Sequence, residues 1–124
     1  MKTVLSVGAL LLAAVLSTAA QAAPGEELAA RLDRACAAVP APAVGVSLAG
    51  QARAVDAYAA DIAAYQDCLH QELRATRASL TQSEQALIAG RLSRSAYDLT
   101  AARLDYANAV RNARSNVQVA ERAN

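Results

Sequence analysis

No proline interrupts the chain after Pro42, and this absence restricts the fold more than any other feature. Pro24, Pro40 and Pro42 are the only prolines, so the remainder of the chain is free to form long helices. Roughly a quarter of the residues are Ala, which has the highest helix propensity. Pro40 to Val46 is expected to be an extended linker, because a strand there would have no second strand to pair with. The sequence therefore predicts an all-α protein.

A coiled-coil-like heptad pattern runs through the segment 48–89. With Val55 at position a, Ile62 and Leu69 follow at a. Leu73, Leu80 and Leu87 each lie four residues after an a position, on the same side of the helix. Ser47 is suited to cap this segment, and the pattern predicts one helix over 48–89. The run from Thr81 to Glu84 resembles a capping box, which leaves open a break near Thr81.

Two further helices are expected on either side of the long one. A first helix over 26–39 is ended by Pro40 and Pro42, which a helix interior does not accommodate. Gly90 suits the left-handed residue that follows a helix, and a third helix is expected over 93–120. The two long helices then form an antiparallel hairpin with its tip near residue 91.

Charges along the two long helices are consistent with that tip. If the chain turns at residue 91, charged residues that stand at the same level on the two long helices have opposite signs in every case. Each such exposed ion pair contributes about 0.2–1 kcal/mol to stability. The predicted pairs are Arg111 with Glu72, Arg114 with Asp67, Asp105 with Arg77, and Arg122 with Asp61.

The N-terminus resembles a signal peptide. Lys2 precedes an apolar run over 4–16, and Ala20 and Ala22 supply the small residues of a cleavage site. The apolar run is too short for a stable membrane anchor. We therefore expect cleavage after Ala22, export to the periplasm or the extracellular space, and a single helical domain over 23–124.

Cys36 and Cys68 are the two cysteines of the chain. In an oxidising compartment two such cysteines favour a disulfide, which would clamp the first helix to the middle of the long one. The alternatives are a redox-active dithiol and an intermolecular disulfide. A redox dithiol has less support because the Cys-x-x-Cys spacing is absent.

Composition argues against several classes of function. Without Lys2 the 12 basic residues become 11, which balance the 11 acidic ones, so the mature chain has no field to attract nucleic acid. It contains no Trp or Phe to stack on bases. His70 is the only histidine and lacks neighbours at a metal-ligand spacing. We therefore expect no catalytic site, no metal and no cofactor.

Tyrosines mark the candidate interaction surfaces. Tyr58 and Tyr65 are one heptad apart and share a face with Cys68. This face is either an aromatic strip for a ligand or, as we favour, the surface on which the first helix and the linker pack. Tyr97 and Leu104 lie on a second apolar face of the third helix, which is available to a protein partner or to a second copy of the chain.

The order of these residues resembles that of a group of small, exported, uncharacterised helical proteins of proteobacteria. The pattern is Cys36, a Pro-containing linker and Ser47, then Ala52-x-x-Val55-x-x-Tyr58, then Tyr65-x-x-Cys68-Leu69, and later Tyr106-Ala-Asn108-Ala-Val110-Arg111. The resemblance implies an exported helical protein and no particular activity.

The sequence does not specify a biological role, but it favours one class. The heptads and the absence of a catalytic motif favour a periplasmic helical protein with an interaction or structural role. Such a protein could also form a homodimer. The alternative is a periplasmic holdase or stress-response chaperone that offers apolar helix surface to unfolded clients.

Overall fold

A computed structural model describes residues 25–43 and 47–123. These residues form three helices, α1 (Glu26–Ala35), α2 (Leu48–Thr76) and α3 (Gln82–Arg122), and no strand occurs among them. The expected all-α fold is confirmed, with a short first helix joined by a disulfide to a long helical hairpin. The predicted signal peptide over 1–22 lies outside the described residues.

α1 is shorter than the sequence predicts. Gly25 precedes it with φ 99°, and Glu26 and Glu27 occupy the first turn, where the helix dipole favours acidic groups. The helix ends at Ala35 because Cys36 adopts an extended conformation. The predicted end at residue 39 is therefore wrong, and the linker already begins at Cys36.

α2 begins as expected and ends early. Ser47 caps it, its side chain accepting a hydrogen bond from the Gly50 amide at 3.2 Å. The helix ends at Thr76 and not at residue 89. The amide of Leu80 then bonds back to the Thr76 carbonyl, closing a short turn over 77–81.

The break near Thr81, which the sequence left open, is the true tip of the hairpin. Thr81 and Glu84 form a complete capping box, with the Glu84 amide donating to Thr81 Oγ1 and the Thr81 amide donating to Glu84 Oε2. The predicted turn at 90–93 is wrong, since α3 runs unbroken through Gly90. Gly25 is the only glycine of the described residues with positive φ. The turn lies at Thr81 because the capping box provides hydrogen bonds for two backbone amides at the start of α3. Gly90 does not end the helix, since a single glycine inside a helix costs little stability.

The displaced tip changes every cross-hairpin pairing. Gln66 now stands level with Ser95, and Tyr58 lies near Asp98. None of the four predicted charge pairs forms within the described residues. Glu72 instead lies 3.6 Å from Arg31 of α1, measured from Oε2 to Nε.

The core lies at the closed end of the hairpin, where α1 covers both long helices. Its buried residues are Leu28, Leu32, Cys36, Leu69 and Ile88, with Tyr65, Leu73, Leu80, Leu87 and Leu92 packed around them. The Cys36–Cys68 disulfide joins α1 to α2 two turns before α2 ends. The clamp is therefore near the closed end and not at the middle of the rod, because α2 is shorter than predicted.

Candidate functional site

Beyond α1, linker residues 39–43 lie over the hairpin and leave a groove. The groove has a volume of about 640 Å³ and lies between linker residues 39–43, the first part of α2 and the middle of α3. We call it the linker groove. From Arg94 to Ala109 it follows α3 for about four turns, or about 22 Å.

Small apolar side chains keep the groove open. Val39 and Pro42 of the linker and Val55 of α2 form its sides. Ala101 and Ala102 of α3 are too short to reach across to the linker and fill the space. The groove is therefore a consequence of alanine at positions where the closed end of the hairpin carries larger side chains.

Tyr58 supplies a polar group to the wall of the groove. The residue as a whole is 6% exposed, but its hydroxyl oxygen is not among the buried side-chain atoms that lack a hydrogen bond, so the hydroxyl reaches the groove surface. Burial and, secondly, the charge of Asp98 raise the pKa of Tyr58 above its ordinary value. The hydroxyl therefore stays protonated and remains available as a hydrogen-bond donor or acceptor.

Two carboxylates line the same groove from α3. Asp98 and Asp105 are one heptad apart, so they lie on one side of the helix. Arg94 Nε lies 3.0 Å from Asp98 Oδ1, but the Arg94 side chain is mostly exposed and its guanidinium also stands over the Tyr97 ring. Asp105 has no ion-pair partner among the described residues. The groove is therefore apolar, with excess negative charge along one wall.

Tyr65 belongs to the packing surface of α1 rather than to the groove. It is partly buried against the core, next to Arg91, which lies 2.7 Å from Asp33 of α1 (Nη1 to Oδ1). Burial by itself would lower the pKa of Arg91, but hydrogen bonds to Asp33 and Tyr65 outweigh it and raise the pKa. This network joins α1 to α3 just as the disulfide joins α1 to α2.

The structure separates the four predicted surface residues into two groups. Tyr58 and Tyr65 are turned inward, towards the linker and α1. Tyr97 and Leu104 remain 68% and 56% exposed and do not line the groove. Sequence reasoning missed Asp98, Asp105 and Tyr106, although the heptad spacing of the two acids beside a scarce tyrosine was a usable signal.

Residues 25–43 and 47–123 contain no group of three or more His, Cys, Asp or Glu side chains placed to hold a metal ion. His70 is exposed on α2. Among the helices of this part of the chain, none combines the length and apolar character that a membrane span requires.

No family model, no curated protein and no solved structure matches this chain. The resemblance to small exported helical proteins therefore stays a prediction, and the functional argument depends on the linker groove itself.

Proposed function

We propose that this chain is an exported, non-enzymatic helical interaction protein that binds an extended segment of a partner protein in the linker groove. The observation that carries the proposal is the groove itself, a space of about 640 Å³ lined by eight apolar residues and by six polar ones, namely Gln51, Tyr58, Arg94, Asp98, Asp105 and Tyr106. Concave, mainly apolar sites of this size with a few placed polar groups are the usual form of binding sites.

The shape of the groove favours an extended ligand. It follows α3 for about 22 Å and is bounded on one side by an extended linker, so it is long and open rather than deep. A short stretch of extended polypeptide, at about 3.3 Å per residue, fills that length with six or seven residues.

The polar groups of the groove favour a basic side chain on that segment. Asp98 and Asp105 lie on one wall, and the Tyr58 hydroxyl is close to Asp98. A Lys ammonium placed here donates to both the carboxylate and the phenol oxygen. The ligand class is therefore an extended peptide of small apolar residues around one Lys.

A fluorescein-labelled peptide Ala-Val-Pro-Lys-Val-Ala tests this proposal by fluorescence anisotropy. The oxidised protein is expected to bind it, and to bind the same peptide with Glu in place of Lys at least about fivefold more weakly. The Asp98→Asn variant should lose about the same factor for the Lys peptide, since one charge interaction is removed.

Asp67→Asn is the matched control, because Asp67 is an exposed acid of α2 that does not line the groove. It changes net charge by the same amount and should leave peptide affinity unchanged. If Asp98→Asn and Asp67→Asn weakened peptide binding equally, the peptide would be responding to the net charge of the protein. That result would contradict a binding site in the groove.

Export forms part of the proposal. Support comes from the predicted signal peptide and from a Cys36–Cys68 disulfide, a bond that persists in oxidising compartments. Expression of the full chain in a bacterial host, followed by N-terminal sequencing of the periplasmic fraction, should give Ala23 as the first residue. Recovery of an uncleaved chain from the cytoplasm would contradict it.

A holdase-type chaperone is the second candidate. Its support is a set of large apolar side chains that remain exposed, namely Leu48, Tyr97, Leu104, Val117 and Val119. It predicts that the protein suppresses aggregation of an unfolding client and that Leu104→Ser weakens this effect. Unimpeded client aggregation at an excess of the protein would remove this candidate.

A further inference from the structure

The last turns of α3 extend beyond the start of α2. Leu48, the first residue of α2, lines a shallow depression together with Val110, Ala113 and Val117, so the two helices stop overlapping within this stretch. α3 continues from there to Arg122, with no further turn of α2 beside it among the described residues. We call residues 111–122, which begin at this depression, the overhang.

The face of α3 that packs on α2 continues along the overhang. Val110, Ala113, Val117 and Ala120 follow one another at spacings of three or four, in line with Tyr106 of the groove wall. Val117 is nevertheless 57% exposed. The overhang therefore carries an apolar stripe patterned for helix packing but without a packed helix in the part of the chain that the structure describes.

Charges beside the stripe indicate what fits it. Arg114 and Glu121 are one heptad apart and lie on the same flank of the stripe. Along the chain, Arg114 and Glu121 are equally far from the midpoint between Val117 and Gln118. A second overhang running antiparallel about that point would place Arg114 opposite Glu121 of the second copy, and Glu121 opposite Arg114 of the second copy.

The antiparallel arrangement brings the two hairpins end to end. About this point, Arg122 of one copy falls opposite Ala113 of the other, at the level where α2 begins. A parallel arrangement would set the hairpins side by side and put the charged flanks of the two copies on opposite sides of the interface, where Arg114 and Glu121 form no pairs. The self-complementary arrangement about a two-fold axis is therefore the antiparallel one.

We propose that this protein forms a homodimer through an antiparallel pairing of its overhangs, with Val117 at the two-fold axis. The surface is separate from the linker groove, so dimerisation and peptide binding succeed or fail independently. A contact this short gives a weak dimer, which forms in the range from about 10 µM to about 1 mM.

Sedimentation equilibrium of the purified oxidised protein over that range tests the proposal. The wild-type chain should shift from monomer to dimer, and Val117→Asp should stay monomeric. Val119→Asp is the matched control, because Val119 is 67% exposed but lies on the opposite side of α3. Circular dichroism verifies that both variants retain their helices.

A charge exchange tests the register. Glu121→Arg replaces two attractive pairs by repulsion and should weaken the dimer about tenfold, while Arg114→Glu combined with Glu121→Arg should restore it. A wild-type monomer at about 1 mM would overturn the proposal. Equal effects of Val117→Asp and Val119→Asp, or failure of the double exchange to restore affinity, would overturn it as well.

Discussion

Gln66 Nε2 donates a hydrogen bond of 2.9 Å to Ser95 Oγ, across the interface between the two long helices. Ser95 is buried, and its hydroxyl in turn donates to the Leu92 carbonyl at 2.8 Å. A partly buried polar pair of this kind is satisfied in one register only, since a shift of either helix leaves the Gln66 amide without its partner, while Ser95 keeps only its bond to the Leu92 carbonyl. The pair therefore identifies the register that places Tyr58 near Asp98.

Removal of one partner of this pair should be costly. Ser95→Ala leaves the Gln66 amide without its partner and should lower the free energy of unfolding by about 1–2 kcal/mol, measured by urea denaturation. The double variant Gln66→Leu with Ser95→Ala should regain most of that loss, because no unpaired polar group remains. Additive losses in the double variant would show that the two side chains do not interact.

Gly90 and Gly25 should respond in opposite directions to the same substitution. Gly90 lies inside α3, and no atom is near enough to obstruct an added Cβ, so Gly90→Ala should stabilise the protein by about 0.5–1 kcal/mol. Gly25 has φ 99°, so Gly25→Ala should destabilise it by about 1–2 kcal/mol. Urea denaturation measures both. A destabilised Gly90→Ala variant would support the hairpin turn that the sequence suggested there.

Reduction of the disulfide should remove a large part of the stability. Cys36 and Cys68 are separated by 32 positions, and closing a loop of this length stabilises a protein by about 3–4 kcal/mol in the chain-entropy model. Thermal melts by circular dichroism should show Tm lower by about 15–25 °C in reductant. Reductant should leave the Cys36→Ala, Cys68→Ala double variant unchanged. Free thiols in the untreated protein would contradict the clamp.

Tyr58 should make the protein sensitive to alkaline pH. Burial and the charge of Asp98 raise the pKa of Tyr58 in the folded state, so folding favours the neutral phenol. Its contribution is complete below the unfolded pKa of about 10 and is lost as pH rises through the folded pKa. The stability of the wild-type protein should therefore fall more steeply above about pH 10 than that of Tyr58→Phe. Absorbance titration at alkaline pH should show one late-titrating tyrosine that this variant lacks.

Local signals in the sequence predicted much of the fold. The absence of proline after Pro42 and the abundance of Ala indicated helices, and Ser47 indicated a cap. Two cysteines together with a predicted signal peptide indicated the disulfide. Each of these signals depends on a few neighbouring residues or on the compartment, so each could be recognised without the tertiary structure.

Local signals in the sequence did not decide where the hairpin turns, near Thr81 or near Gly90. The heptad pattern continues in phase from Leu73 through Leu80 to Leu87, so periodicity concealed the break. Tertiary packing determines the position of the turn. With the turn over 77–81, Leu28 and Leu32 of α1 pack against Leu69 and Ile88. That gain arises between distant segments and is invisible in any local window.

The linker groove could not be predicted once the tip was misplaced. With a turn near residue 91, the end of the chain would stand opposite Tyr58, whereas the structure places Asp98 there. The groove depends on which α3 residues face the linker. A prediction with the wrong helix register places other residues there and therefore contains no such groove. Tyr58 was predicted to be a packing residue and is buried. The positions of its hydroxyl and of the acids beside it follow only from the correct register.

Binding of a basic, extended peptide in the linker groove is tested most directly by a nuclear magnetic resonance titration of the ¹⁵N-labelled oxidised protein with Ala-Val-Pro-Lys-Val-Ala. Amide shift changes are expected to concentrate at linker residues 39–43, at Tyr58 and at the Ala101–Tyr106 stretch of α3. Changes centred on the exposed face of Tyr97 and Leu104, or no changes at all, would contradict it.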